Sequence, residues 1–136
     1  MASIESDETG QRRIEPSSED LAYAAGYLDG EATFGWANSP HVTLDNTFPN
    51  TLLWLKTLFG GSVSRLNRRD DNCRTAFRYR IYGSGASSLC QKVLPFLKEK
   101  QAQAKIIIRL RETAPNTEIR RQLLLELGKH KRIDHA

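Results

Sequence analysis

Two pairs of short alternating segments, separated by one amphipathic helix, constrain this chain's fold more than any other feature. In Thr33-Phe34-Gly35-Trp36-Ala37, Phe34 and Trp36 point one way, and Thr33, Gly35 and Ala37 the other. That two-residue period is the signature of a strand. Asn38-Ser39-Pro40 reads as a turn. His41 to Asp45 then alternates again, with Val42 and Leu44 inward and His41, Thr43 and Asp45 outward. The second pair is SVSRLNRR and TAFRYRIY, joined by the polar loop Asp70 to Arg74. In TAFRYRIY, Phe77, Tyr79 and Ile81 share one face, and Arg78 and Arg80 share the other. Between the pairs, TLLWLKTLF puts Leu52, Leu55, Leu58 and Phe59 on one helix face, and Gly60-Gly61 ends it.

Further helices flank this centre. Ser17 or Ser18 can cap the first, with Glu19 and Asp20 in its first turn, where the helix dipole favours acids. An apolar run follows, and Gly30 is the expected stop. GSGASSLCQKVLPFL is a third helix broken near Pro95, KEKQAQAKIIIRLRET a fourth, and EIRRQLLLELGKHKR a last one after the loop Pro115-Asn116-Thr117. The predicted class is α+β, an αββαββα core with extra C-terminal helices. Its two hairpins form one antiparallel sheet, covered by helices on one face only. The other face would carry Thr33, Ala37, Thr43, Arg78 and Arg80. Such a face suits nucleic acid, where Arg and Lys contact phosphates and base edges; a merely solvated face is the alternative.

Charge points the same way. The net charge is +4. Residues 1–20 hold six acids and two arginines, a net of −4, so the remainder carries +8. A body that basic suggests a polyanionic partner. Residues 1–16 are polar and acidic and read as a mobile arm, leaving 17–136 as one domain. No apolar run approaches the ~20 residues that span a bilayer, and no signal-peptide core is seen. Cys73 and Cys90 are isolated and read as thiols of a reducing compartment, and His41, His130 and His135 do not cluster, which argues against a zinc site.

One stretch remains odd. The helix LAYAAGYLDGEATF (21–34) finishes in Asp29-Gly30-Glu31, although acids are disfavoured at a helix C-terminus. Ala22, Ala25/Gly26 and Asp29 fall three and four apart, so they form a stripe that would admit a second helix closely. LAYAAGYLDGEA resembles the signature helix of the LAGLIDADG homing endonucleases. Ala25 to Ala32 stand in register with the last eight letters of that name, Glu31 takes the second acid's place, and Ala32 departs from the final glycine. LLWLKTLFGGSV resembles the family's second helix and glycine turn, and LPFLKEKQAQAKIII its third-to-fourth helix junction. The resemblance covers roughly residues 18 to 112.

The resemblance implies a saddle-shaped sheet and a site-specific endonuclease. The motif helix packs against a second copy of itself. One motif occurs here, so the expected assembly is a homodimer touching through Ala22, Ala25, Gly26 and Asp29, with Asp29 bonding backbone N–H groups of the partner helix. Glu31 would lie beside its symmetry mate and, with the Gly30 carbonyl, hold Mg²⁺ for phosphodiester hydrolysis. Lys100 matches the family's lysine that offsets charge at the scissile phosphate, with Lys98 one register away as the fallback and a DNA contact. Asn46 matches a polar water-orienting position. The DNA-reading candidates are Thr33, Ala37, Thr43, Asp45, Ser64, Arg68, Arg78 and Arg80. Counting back from LPFL would turn Phe77 and Tyr79 toward DNA instead; the alternation favours the arginines, because facing them at the helices would be costly.

The expected function is therefore a homodimeric enzyme that cuts both strands of a long pseudo-palindromic duplex. It would be intracellular, in a plastid, a mitochondrion or a prokaryotic cytoplasm. The alternatives are a non-catalytic nucleic-acid binder of the same fold, such as an intron maturase or regulator, and an interaction protein that uses the small-residue helix only to dimerise.

Overall fold

Ser17 starts the first helix of the core with a reciprocal cap. Its hydroxyl accepts the Asp20 N–H at 3.1 Å, and the Asp20 carboxylate accepts the Ser17 N–H at 3.1 Å. The computed structural model describes residues 3–6, 12–66 and 75–134. Arg68, Cys73 and the loop Asp70 to Arg74 lie outside them. In chain order the elements are β1 (Ser3–Ser6), β2 (Arg12–Glu15), α1 (Ser18–Glu31), β3 (Thr33–Trp36), β4 (Pro40–Asn46), α2 (Pro49–Phe59), β5 (Ser62–Leu66), β6 (Ala76–Tyr82) and α3 (Gly83–Val93). A 3₁₀ turn at Leu94–Phe96 leads to α4 (Gln101–Glu112) and α5 (Glu118–Asp134).

The expected αββαββα core is present, with two helices after it. The sheet runs β3-β4-β6-β5, every neighbour antiparallel. β1 and β2, within the stretch expected to be an arm, pair with each other in a separate ribbon. Phe34, Val42, Leu44, Tyr79 and Ile81 bury one sheet face against Leu28, Leu52, Leu55, Leu89, Ile107 and Leu110 of the helices. Burying each such side chain contributes roughly 1.5–3 kcal/mol.

Two local features set how the site is held. Gly30 does not stop α1, as the sequence suggested. The helix runs on through Glu31, and Ala32 turns extended at φ −90° and ψ 152°, its N–H donating to the Leu28 carbonyl. Ala32 is buried and leads straight into β3, so core packing, not glycine, ends the helix. At the α2–β5 turn the glycines are needed. Gly60 and Gly61 have φ of 85° and 95°, and a Cβ on Gly61 would come within 2.6 Å of the Arg80 carbonyl oxygen. The buried Tyr79 hydroxyl donates to the Gly60 carbonyl at 2.7 Å, locking this turn to β6.

Arg120 fastens α5 to the end of α4. Its guanidinium donates to the Leu110 and Thr113 carbonyls at 3.1 and 2.8 Å and stacks over Trp36. The last carbonyls of a helix attract cations, which favours this placement. Among the described residues, no helix is long and apolar enough to cross a membrane.

Candidate nucleic-acid interface

The open sheet face is built from cross-strand rows. Thr33 lies opposite Thr43, Thr43 opposite Arg80, and Arg80 opposite Ser62. The next row runs Asp45, Arg78, Ser64, and the row on the other side pairs His41 with Tyr82. Arg78 and Arg80 therefore point away from the helices, while Tyr79 and Ile81 are buried beneath them. The alternation in TAFRYRIY set this correctly, and the count from LPFL did not. Thr33, Ala37, Thr43, Asp45, Arg78 and Arg80 line one cleft of about 560 Å³, together with Glu31. Ser64 is exposed beside Arg78 in the row register. Arg68 is outside the described residues.

Within that cleft Asp45 and Arg78 form a two-point ion pair. Nε of Arg78 donates to Oδ1 of Asp45 at 2.6 Å, and Nη2 donates to Oδ2 at 2.9 Å. The hydrogen bond to the carboxylate raises the Arg78 pKa above its already high value. The sequence marked both residues but not their pairing.

Glu31 ends α1 at the border of the sheet face and is exposed. It also borders a second cleft of about 250 Å³ with Asp45, Asn46, Thr47 and Ala76. Because α1 stops at Glu31, the Gly30 carbonyl has no acceptor role left within the helix. Carboxylate and carbonyl oxygens are the donors a hard divalent cation takes.

Asp29 was expected to reach a partner helix. Its carboxylate is instead engaged inside its own chain. Oδ2 accepts the Lys98 N–H at 2.8 Å, and Oδ1 accepts the Lys100 N–H at 3.0 Å. Lys100 is the residue that caps α4. A carboxylate at a helix N-terminus satisfies otherwise orphaned donors and complements the dipole. The acid that is misplaced on α1 is thus well placed on α4. It ties the lysine turn to the helix end that carries Glu31. The Lys98 side chain is exposed and that of Lys100 partly buried.

Asn46 is also more committed than the sequence suggested. Its Nδ2 donates to the Tyr27 hydroxyl, and its Oδ1 accepts the Phe48 N–H at 3.1 Å. Tyr27 was not anticipated. Burial raises its pKa most; the Asn46 bond lowers it, and the negative charge of Glu31 raises it further. The four-residue step from Tyr27 to Glu31 along α1 was the available signal. Tyr82, at the groove's end, follows Arg78 and Arg80 in the same alternation and could have been found that way.

The small-residue stripe divides. Ala25, expected at a dimer contact, is 0% exposed in the chain's own core. Ala22 and Gly26 are exposed and Asp29 is half-buried; Gly30, which the stripe did not include, is exposed four residues beyond Gly26.

No family model matches this sequence, and no curated protein matches it either. Solved structures do. The homing endonuclease I-CvuI, in complex with its target in the presence of calcium, is 21% identical over 82% of each chain, with a TM-score of 0.66. The same enzyme on the I-CreI target in the presence of magnesium, with the DNA not cleaved, is 23% identical over 80% of this chain and 75% of that one, at 0.55. An archaeal intron-encoded homing endonuclease, I-Vdi141I, complexed with DNA, is 15% identical over 82% of this chain and 84% of that one, at 0.65. A four-stranded antiparallel sheet with helices on one face, in the order αββαββα, is the fold of the homing endonucleases, and this chain has it.

Proposed function

We propose that this chain is a LAGLIDADG-type homing endonuclease that acts as a homodimer and hydrolyses both strands of a DNA duplex with Mg²⁺. The observation that carries this reading is the position of Glu31. It stands at the end of the motif helix, on the border of a sheet face floored by Thr33, Thr43, Arg78 and Arg80. Similar folds complexed with DNA support a duplex as the partner.

The exposed face of α1 supports the dimer. Among the described residues, a Cβ added at Gly26 or Gly30 would meet nothing within 4 Å. Each glycine costs a helix roughly 1 kcal/mol relative to alanine, and among the described residues no contact repays that. Close approach of a second α1 does. A two-fold axis there sets the two Glu31 carboxylates near each other and joins two sheet faces into one long surface. Among the described residues, no three His, Cys, Asp or Glu side chains gather in one chain. In this reading each copy brings one Glu31 carboxylate, and the dimer brings the pair together.

The Glu31 carboxylate and Gly30 carbonyl would hold the divalent ion. When bound, it supplies charge for the non-bridging phosphate oxygens and acidifies water. The chain's own groups do the rest. Arg80 and neighbouring basic residues bind the backbone, and Lys100, fixed through Asp29, offsets charge at the scissile phosphate. Glu31→Gln tests the reading. It should bind duplex as well as the wild type and lose about a hundredfold to a thousandfold in plasmid linearisation, on the order of the loss seen when a central electrostatic group is removed. Wild-type linearisation rates in Glu31→Gln would contradict the mechanism.

A further inference from the structure

We propose that Asp45 and Arg78 work as a single guanine-reading unit, in which Asp45 is the positioning residue and Arg78 contacts the base; this rests on the DNA-binding reading above. A guanidinium has five N–H donors in a planar fork. Asp45 occupies the side formed by Nε and Nη2, at 2.6 and 2.9 Å. That leaves the outer edge, with one hydrogen on each terminal nitrogen. Two parallel N–H groups at that spacing match guanine O6 and N7 in the major groove. Asp45 and Arg78 are direct cross-strand partners, and the two bonds put the carboxylate at the guanidinium's Nε–Nη2 edge.

Pairing changes what Arg78 can do. An unpaired arginine on a DNA-facing sheet swings to the nearest phosphate, and its long side chain must be ordered on binding. Asp45 holds the guanidinium through two bonds beforehand and offsets part of its charge, which weakens the pull of phosphate and favours the base edge as the target. Arg80 is the contrast. It lies between Thr43 and Ser62, and among the described residues no carboxylate pairs with it. The two arginines therefore divide the work, Arg80 for backbone and Arg78 for sequence. The pair also accounts for an acid on this face, since a lone Asp45 would repel the duplex.

The test is selection of bound sites from a randomised duplex library, sequenced for the wild type, Asp45→Asn, Arg78→Lys and Arg80→Ala. The wild type should enrich guanine at one position of each half-site. Asp45→Asn and Arg78→Lys should lower that preference by about tenfold or more, with other positions kept. Arg80→Ala should weaken binding to all sequences alike and lower the salt slope by about one. An unchanged guanine preference in Asp45→Asn, or its loss in Arg80→Ala, overturns the unit. A wild type that selects sites with no Arg78-dependent guanine overturns it while leaving DNA binding intact. A wild type that enriches nothing overturns both.

Discussion

Oδ1 of Asp29 accepts the backbone N–H of Lys100 at 3.0 Å, joining the last turn of α1 to the first turn of α4 across 71 residues of sequence. The other oxygen takes the Lys98 N–H. The acidic end of the motif helix is thus a cap for another helix, and it fixes where the lysine turn stands relative to Glu31. Asp29→Asn keeps the size but puts a donor against one of the N–H groups. It should cost about 1–2 kcal/mol in urea unfolding. If Asp29 positions Lys100 for chemistry, cleavage should fall by more than DNA binding does. Equal losses in both would mean that Asp29 is structural only.

Gly26 should be sensitive to bulk only in the assembly. It is exposed, and a Cβ there meets nothing within 4 Å among the described residues. Gly26→Leu should leave the thermal midpoint of the isolated chain unchanged or higher, because leucine favours a helix by roughly 1 kcal/mol over glycine. It should weaken self-association at least tenfold in sedimentation equilibrium. A wild-type protein that is monomeric at micromolar concentration would remove the dimer from the account.

Two buried acids make stability fall in alkali. Burial pushes the Cys90 thiol from 9.0 up to about 12, and burial also raises the Tyr79 hydroxyl well above 10.0. Both folded values lie above the unfolded ones. Their contribution is therefore complete below about pH 9 and declines as pH rises, from 9 toward 12 for Cys90 and from 10 upward for Tyr79. Each group can contribute a slope of up to about 1.4 kcal/mol per pH unit in its window. Urea titrations between pH 8 and about 11 should show the decline, and Cys90→Ala should be shallower above pH 9. A flat profile would mean that both groups ionise in the folded chain near their ordinary values.

Much of this arrangement was legible because it is local. The strict alternation of Phe77, Arg78, Tyr79, Arg80 and Ile81 assigned each side chain to a face, and the register agrees. Ser17 with Asp20, and the glycine pair after Phe59, announced a helix start and a turn. What stayed hidden depends on tertiary partners. Nothing near Asp29 in sequence reveals that its acceptor role is met 69 and 71 residues later. Gly30 carries a stop signal, yet the burial of Ala32 decides where α1 ends. Ala25 and Gly26 are adjacent small residues, and the roughly 100° step between them puts one in the core and the other on the surface. Asn46 was marked by its polar side chain, while its bond to Tyr27, 19 residues away in sequence, and its bond to the Phe48 N–H came only with the fold.

The most direct test is to recover cleaved ends from a randomised duplex library incubated with the protein and Mg²⁺. Two-fold symmetric sites cut on both strands, lost on chelation and in Glu31→Gln, are the predicted result. Sites that are bound and enriched but never cut in any divalent metal would contradict it, and would leave a DNA-binding protein built on a nuclease fold.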